Sequence, residues 1–126
     1  MELKKTVCYE DFGAVGDGIT DDYEAIKACH AYANKNGNIV YADRGATYYI
    51  GGKEKPIVIK TSTDFGKAHF IIDDRDCEAA HPDHIFFINS DFIVSTLGEW
   101  AEKTQDLVWT VNFDGYEMTF YPIYQA

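Results

Sequence analysis

Cations are what this chain has least of. With 11 Lys and Arg against 21 Asp and Glu, it carries a formal net charge of −10 and a pI near 4.6. Each contact to a phosphate backbone needs a cation and repels a carboxylate, which argues against nucleic acid as a partner. Acidic polysaccharides meet the same long-range repulsion, so one could bind only at a local basic groove or through a bridging divalent cation such as calcium; neutral glycans face no such barrier. Long apolar runs are missing as well. None approaches the ~20 residues of a membrane span, so no membrane partner is expected, and the opening MELKKTV lacks the apolar stretch of a secretion signal. Cysteine is scarce: Cys8, Cys29 and Cys77 are an odd set spread widely, which permits one bridge at most and excludes a dense disulfide scaffold. There is no low-complexity tract and no evident domain boundary. What is present, 126 residues of which 46% are apolar, suffices for one domain, residues 1–126, around a real core.

After a short apolar lead-in at Thr6 to Tyr9, the cluster Gly13, Gly16 and Gly18 predicts an irregular loop. A helix is expected to follow at once. Thr20, Asp21 or Asp22 can cap it, Asp21 and Glu24 have capping-box spacing, and the acids stand near the positive end of the helix dipole. Ile26, Cys29, His30 and Ala33 fall at i, i+3, i+4 and i+7, one face of an amphipathic helix, and Asn36-Gly37 ends it.

Beyond the helix the apolar segments shorten: Ile39 to Ala42, Ile57 to Ile59, Phe70 to Ile72, Ile85 to Ile88 and Phe92 to Val94, separated by Gly, Asp, Pro and Lys. These read as strands, spaced like the turns of a solenoid in which each turn stacks ~4.8 Å above the last. Gly98 to Asp106 is polar, a linker or a single helical turn. The end differs, because Leu107 to Phe113 and Tyr116 to Tyr121 flank Asp114-Gly115, the signal of a two-residue type I′ hairpin. Pairing Phe113 with Tyr116 sets Val111 opposite Met118 and Trp109 opposite Phe120, leaving one face apolar; the other carries Thr110 with Thr119 and Asn112 with Glu117. Such a ribbon would fold over the open end of the solenoid or over a partner chain, giving a route to a homo-oligomer through this hairpin. Pro122 would stop it.

The stretch Asp11-Phe12-Gly13-Ala14, Gly16-Asp17-Gly18, Thr20-Asp21-Asp22, Ala25-Ile26, then Gly37, Val40-Tyr41 and Gly45 to Tyr48 resembles the N-terminal cap of the pectate-lyase-like and polygalacturonase-type β-helix superfamily. His30 stands where an aliphatic residue usually completes the helix face, and Asp43-Arg44 replaces prolines common before the Gly-x-x-Tyr segment. The resemblance implies a mainly β fold: a right-handed parallel β-helix, here a truncated solenoid, with an N-terminal capping α-helix and a C-terminal β-hairpin. Cap loop and helix would occupy about 11–37, coils about 38–97 and the hairpin about 107–121. It also implies carbohydrate chemistry by a polysaccharide lyase or glycosidase, and a secreted or cell-surface setting. Tailspike-like attachment to glycans without catalysis and a purely structural capping or assembly role are the alternatives. Catalytic residues of the superfamily lie on coils well downstream of the cap, so no complete active site is expected in this chain.

The later acids and histidines include candidates for chemistry. Glycoside hydrolysis needs two carboxylates flanking one sugar. Asp73-Asp74 is a doublet, and Asn89-Ser90-Asp91 resembles the Asn-Thr-Asp triplet of polygalacturonases, yet the order is reversed and the later Gly-His-Gly and Arg-x-Lys motifs are absent; turn residues between coils are the simpler reading. Lyases hold calcium with aspartates, which draws attention to Asp73, Asp74, Arg75 and Asp76, although consecutive side chains on a strand cannot converge on one ion. Cys77, His81, Asp83 and His84, with His69, have residue types that ligate zinc, but C-x3-H-x2-H matches no standard pairing. Asp17, Asp21 and Asp22 resemble a calcium loop that helix capping explains better. The glycine cluster lacks the Gly-Lys-Ser/Thr ending of a phosphate-binding loop. His30 reads as a hydrogen-bonded histidine at the core edge. Among the aromatics, Tyr48, Tyr49, Trp100, Trp109, Tyr116, Tyr121 and Tyr124 could stack on sugars, though packing within the fold accounts for most such residues.

Overall fold

Three carboxylates and a close backbone contact set the shape of the N-terminal region. In a computed structural model of the chain, residues 5–42, 45–51, 56–73, 86–88, 93–94, 109–121 and 123–124 are described, with backbone alone at 93–94 and 123–124. Strand β1 (Thr6–Val7) leads into one 3-10 turn (Tyr9–Phe12), opened by the Cys8 N–H donating to Asp11 Oδ2 at 3.0 Å. The glycine cluster is only partly the irregular loop anticipated, for β2 (Asp17–Asp21) begins inside it. Its sequence has no apolar alternation; pairing with a distant strand makes it a strand, not its own pattern. Gly16 sits at φ 70, and a Cβ there would lie 2.9 Å from Ala46 Cβ, so both its backbone angle and its surroundings call for glycine.

Helix α1 (Tyr23–Asn36) buries Ile26, Cys29, His30 and Ala33 completely, the face anticipated from spacing, and ends at Gly37 in the left-handed conformation. Each fully buried large apolar side chain on that face contributes ~1.5–3 kcal/mol. The anticipated capping is met by Asp21 and not by Asp22. Asp22 occupies the cap position, yet its side chain makes no bond to the helix; Oδ1 and Oδ2 instead accept from the Val15 and Gly16 N–H groups at 2.9 and 3.0 Å. Asp21 Oδ1 accepts from Tyr23 N–H at 3.0 Å and from Gly51 N–H at 3.2 Å. The loop folds back over the helix start, and its amides would be costly to leave unpaired beside a buried carboxylate. At the other end Asn34 clamps the helix to a strand, donating to Val58 C=O at 2.9 Å and accepting from Lys60 N–H at 3.0 Å.

Among the described residues ten further strands follow: β3 (Ile39–Tyr41), β4 (Thr47–Ile50), β5 (Ile57–Ile59), β6 (Thr63–Gly66), β7 (His69–Ile72), β8 (Phe86–Ile88), β9 (Ile93–Val94), β10 (Trp109–Phe113), β11 (Tyr116–Phe120) and β12 (Ile123–Tyr124). Among the described residues the fold is mainly β with one α-helix. The described strands form four open sheets, with strand orders β1-β3-β6-β10-β11, β2-β4-β7, β5-β8 and β12-β9. Every pairing among the described strands is parallel except β10 with β11. The registers include Val40↔Thr63, Thr47↔His69 and Ile57↔Phe86.

Between the sheets and α1 lies an aromatic core. Tyr48 on β4 meets Phe70, its register partner on β7, at 5.6 Å between ring centroids, and Phe65, Phe70 and Phe86 make mutual edge-on contacts at 5.2–5.6 Å. The parallel register stacks like residues above one another, so aromatic meets aromatic on the inward side.

The hairpin has the register derived from its turn, Phe113↔Tyr116 through Trp109↔Phe120, with Asp114 at φ 50 and Gly115 at φ 86 as a type I′ turn needs. Its place is a correction. It is not a separate ribbon laid over an end: β10 continues the main sheet beside β6, with Val111↔Thr63 and Asn112↔Asp64 in register. Trp109 and Val111 are thereby buried, and the Trp109 indole stacks on Phe120 at 4.5 Å.

Candidate functional site

The alternation of β4 decides which residues reach solvent. Tyr48 and Ile50 point into the core, so Thr47 and Tyr49 lie on the outward side of the β2-β4-β7 sheet, half-buried. Register then places His69 beside Thr47 and Ile71 beside Tyr49. Ile71 is 44% exposed and packs toward Gly18, where an added Cβ would meet its Cδ1 at 3.7 Å and Thr47 Cγ2 at 3.3 Å. The result is an aromatic ring and a branched aliphatic side by side on a solvent-facing sheet.

Carboxylates frame that ring. Tyr49 Oη donates to Asp73 Oδ2, and Asp73 is itself seated by its N–H donating to Ile50 C=O at 2.9 Å. Asp21 approaches from the other strand. A Cβ on Gly51 would lie 2.7 Å from Tyr49 Cε1 and 3.4 Å from Asp21 Oδ2, so the absent side chain leaves room for both. Asp17 is more fully committed, its Oδ1 accepting from Ile19 and Thr20 N–H at 2.9 and 2.7 Å and its Oδ2 from the Thr20 hydroxyl at 3.0 Å. These bonds, the Thr20 N–H foremost, lower its pKa.

A cleft of about 280 Å³ adjoins this face at His69, lined by Lys67, Ala68, His69, Phe113 and Asp114. The turn from β6 to β7 forms one wall and the hairpin turn the other, tied by Asp114 N–H donating to Gly66 C=O at 2.7 Å. Lys67 and His69 put two cation-forming groups together in a chain otherwise dominated by acids.

Of the residues singled out from sequence, Asp73 belongs to this face and His69 lies where face and cleft meet. Asp74, Arg75, Asp76, Cys77, His81, Asp83, His84, Asn89, Ser90, Asp91 and Trp100 lie outside the described residues. Asp17, Asp21 and Asp22 brace the loop, and among the described residues no three His, Cys, Asp or Glu side chains come together as a metal site. His30 is fully buried, its Nε2 hydrogen-bonded to Tyr9 Oη at 2.7 Å, and burial pulls its pKa down to about 3. Sealed from solvent, it reaches no substrate. Cys8 and Cys29 are free thiols, and burial pushes Cys29 up to about 12, too high for a thiolate nucleophile. Of the notable aromatics, Tyr48 and Trp109 are core, while Tyr116 is 80% exposed.

Sequence reasoning missed Lys67, Phe113, Ile71 and Thr47. The Thr-Tyr-Tyr-Ile alternation of β4 was the available signal for the last of these and for the outward aim of Tyr49. Among the described residues no helix is long and apolar enough to cross a membrane. Comparisons with protein-family models, with curated proteins and with solved structures find no match for this chain.

Proposed function

We propose that this chain is the N-terminal part of a right-handed parallel β-helix protein that works on polysaccharide, a lyase or glycoside hydrolase without its complete active site in these residues. In this reading the chain binds glycan on the outward face of β2, β4 and β7. The observation that carries the reading is Tyr49, a half-buried ring on the outward side of its strand, between the carboxylates of Asp21 and Asp73 and beside Ile71. A sugar offers apolar C–H faces and a rim of hydroxyls; a flat ring suits the first and carboxylates suit the second. Support for the fold comes from the parallel pairings, in which β3, β4 and β5 are each followed by a parallel partner, β6, β7 and β8, in the same order. Right-handed connection is the rule for such parallel crossovers. The cap-like segment Asp11 to Ile26 supports it independently.

Affinity electrophoresis against neutral and acidic polysaccharides tests the proposal. At least one should retard the chain, and Tyr49→Ala should weaken that retardation about tenfold, ~1.4 kcal/mol. No retardation by any glycan, or equal retardation of the variant, would refute it. A non-catalytic attachment role uses the same face. Assays for unsaturated ends and for new reducing ends, made on the chain together with any downstream coils of its reading frame, separate the two: turnover there favours the enzyme, and binding without turnover favours attachment.

A further inference from the structure

Strand β11 is the last of its sheet, and among the described residues nothing pairs with its outer edge. In a hairpin closed by a two-residue turn, the residues flanking the turn form a hydrogen-bonded pair and the pairs then alternate. Phe113↔Tyr116 is that flanking pair. Tyr116, Met118 and Phe120 therefore direct their backbone groups to β10, and the N–H and C=O of Glu117 and Thr119 point away from the sheet. On one face of the ribbon Tyr116 and Met118, 80% and 48% exposed, extend the row begun by buried Val111 and Trp109. An edge of this kind, with outward amides and an exposed apolar side, is a template for another strand.

We propose that a second copy of this chain occupies the edge, with β11 pairing antiparallel to its counterpart about a two-fold axis through Met118. Three features of the strand favour that partner and that register. First, the axis at Met118 gives all five residues of β11 a mate: Tyr116 with Phe120, Glu117 with Thr119, and Met118 with itself. Second, the outward amides fall where this register needs them. Glu117 and Thr119 of opposite copies form the hydrogen-bonded pairs, and Met118 forms the close, non-hydrogen-bonded one. Third, the charges agree. Glu117 is the single charged residue of the strand and stands across from a neutral hydroxyl, whereas an axis through Glu117 would oppose two carboxylates in a chain of net charge −10. An axis through Thr119 would leave Tyr116 unmatched and draw on Tyr121, which lies beyond the strand. The pairing is isologous, as two-fold dimers are. It is independent of the glycan reading.

One strand edge is a small contact beside the ~1,200–2,000 Å² of stable interfaces, so a covalent trap is the fitting test. At the axis the two Met118 Cα atoms would lie ~4.5 Å apart, inside the ~4.4–6.8 Å window of a disulfide. The Thr119 pair would be displaced along the strands, beyond that reach. Met118→Cys and Thr119→Cys are made in the full chain with Cys8 and Cys77 changed to Ser; Cys29, fully buried, is kept. Both are incubated with oxidised glutathione and run on non-reducing gels. Met118→Cys should give a covalent dimer at least about tenfold faster than Thr119→Cys, and reduction should return it to monomer. Equal rates, a faster Thr119→Cys, or no dimer from either would overturn the proposal. Folding of both variants is checked by their thermal transitions against the same background.

Discussion

Acidification should destabilise this protein through His30 well before its carboxylates matter, and the size of the effect follows from burial. The ring is fully enclosed, Nε2 is bonded to Tyr9, and Nδ1 has no partner among the described residues. Desolvation holds its pKa at about 3, against 6.5 for an ordinary histidine. Because the folded state binds the proton more weakly, the unfolded chain is protonated first as the pH falls. The stabilising contribution of neutral His30 is complete above pH ~6.5 and declines by ~1.36 kcal/mol per pH unit down to the folded pKa. The loss reaches ~2 kcal/mol at pH 5 and ~3 kcal/mol at pH 4, a large share of the 5–15 kcal/mol typical of a domain. His30→Gln can still bond to the Tyr9 hydroxyl but cannot titrate. Urea unfolding of both proteins from pH 7 to pH 5 isolates the histidine, since the carboxylates and the other histidines cancel in the difference. The variant should gain ~2 kcal/mol relative to the parent across that range. A difference constant within ~0.5 kcal/mol, or a His30 ring resonance that titrates near pH 6.5 in the folded protein, would refute the reasoning.

Asp22→Ala strips the Val15 and Gly16 amides of their acceptor and should cost ~3 kcal/mol or more by chemical denaturation, with Asp22→Asn intermediate. Gly37 and Gly16 have nearly the same φ, 72 and 70, but a Cβ has open space at the first and meets Ala46 at the second. Gly37→Ala should therefore lose ~1–2 kcal/mol for the left-handed backbone, and Gly16→Ala a further ~1–3 kcal/mol for overpacking; equal losses would deny the close approach. Asn34→Ala removes both bonds that tie α1 to the β5 segment, for ~2 kcal/mol and faster exchange of the Lys60 amide by NMR. Tyr49→Phe removes the hydroxyl that bonds to Asp73 but keeps the ring and should keep most glycan retention, whereas Gly51→Ala pushes on Tyr49 Cε1 and should weaken retention while leaving the thermal transition within a few degrees.

What could be read from residues alone was whatever a short stretch of chain determines by itself. The helix face from Ile26 to Ala33 and the register of the Asp114-Gly115 hairpin were legible because a 3.6-residue period and a two-residue turn are local geometry. Strands β2 and β6 were not, for Asp17–Asp21 and Thr63–Gly66 carry no apolar alternation and become strands only against partners far along the chain. Acids at a helix start suggest capping, but whether Asp22 bonds to helix or loop depends on where the Gly16 segment returns. The candidate face shows the same limit. Asp73 drew notice as half of a doublet, while the residue that gives it meaning, Tyr49, lies on the neighbouring strand 24 positions away. No spacing rule joins those two.

The order of strands across each sheet carries a consequence for how the chain is made. In the main sheet the sequence β1-β3-β6-β10-β11 is also the order of synthesis, and the same holds for β2-β4-β7 and β5-β8. As the chain leaves the ribosome, each new strand finds its partner already formed and exposed at the growing edge, so no earlier strand has to wait for a later one to be inserted between it and a neighbour. Parallel pairings over long separations are ordinarily slow and prone to aggregation when a whole chain refolds at once. Here translation itself would supply the sequence of events, adding one strand at a time at the newest edge.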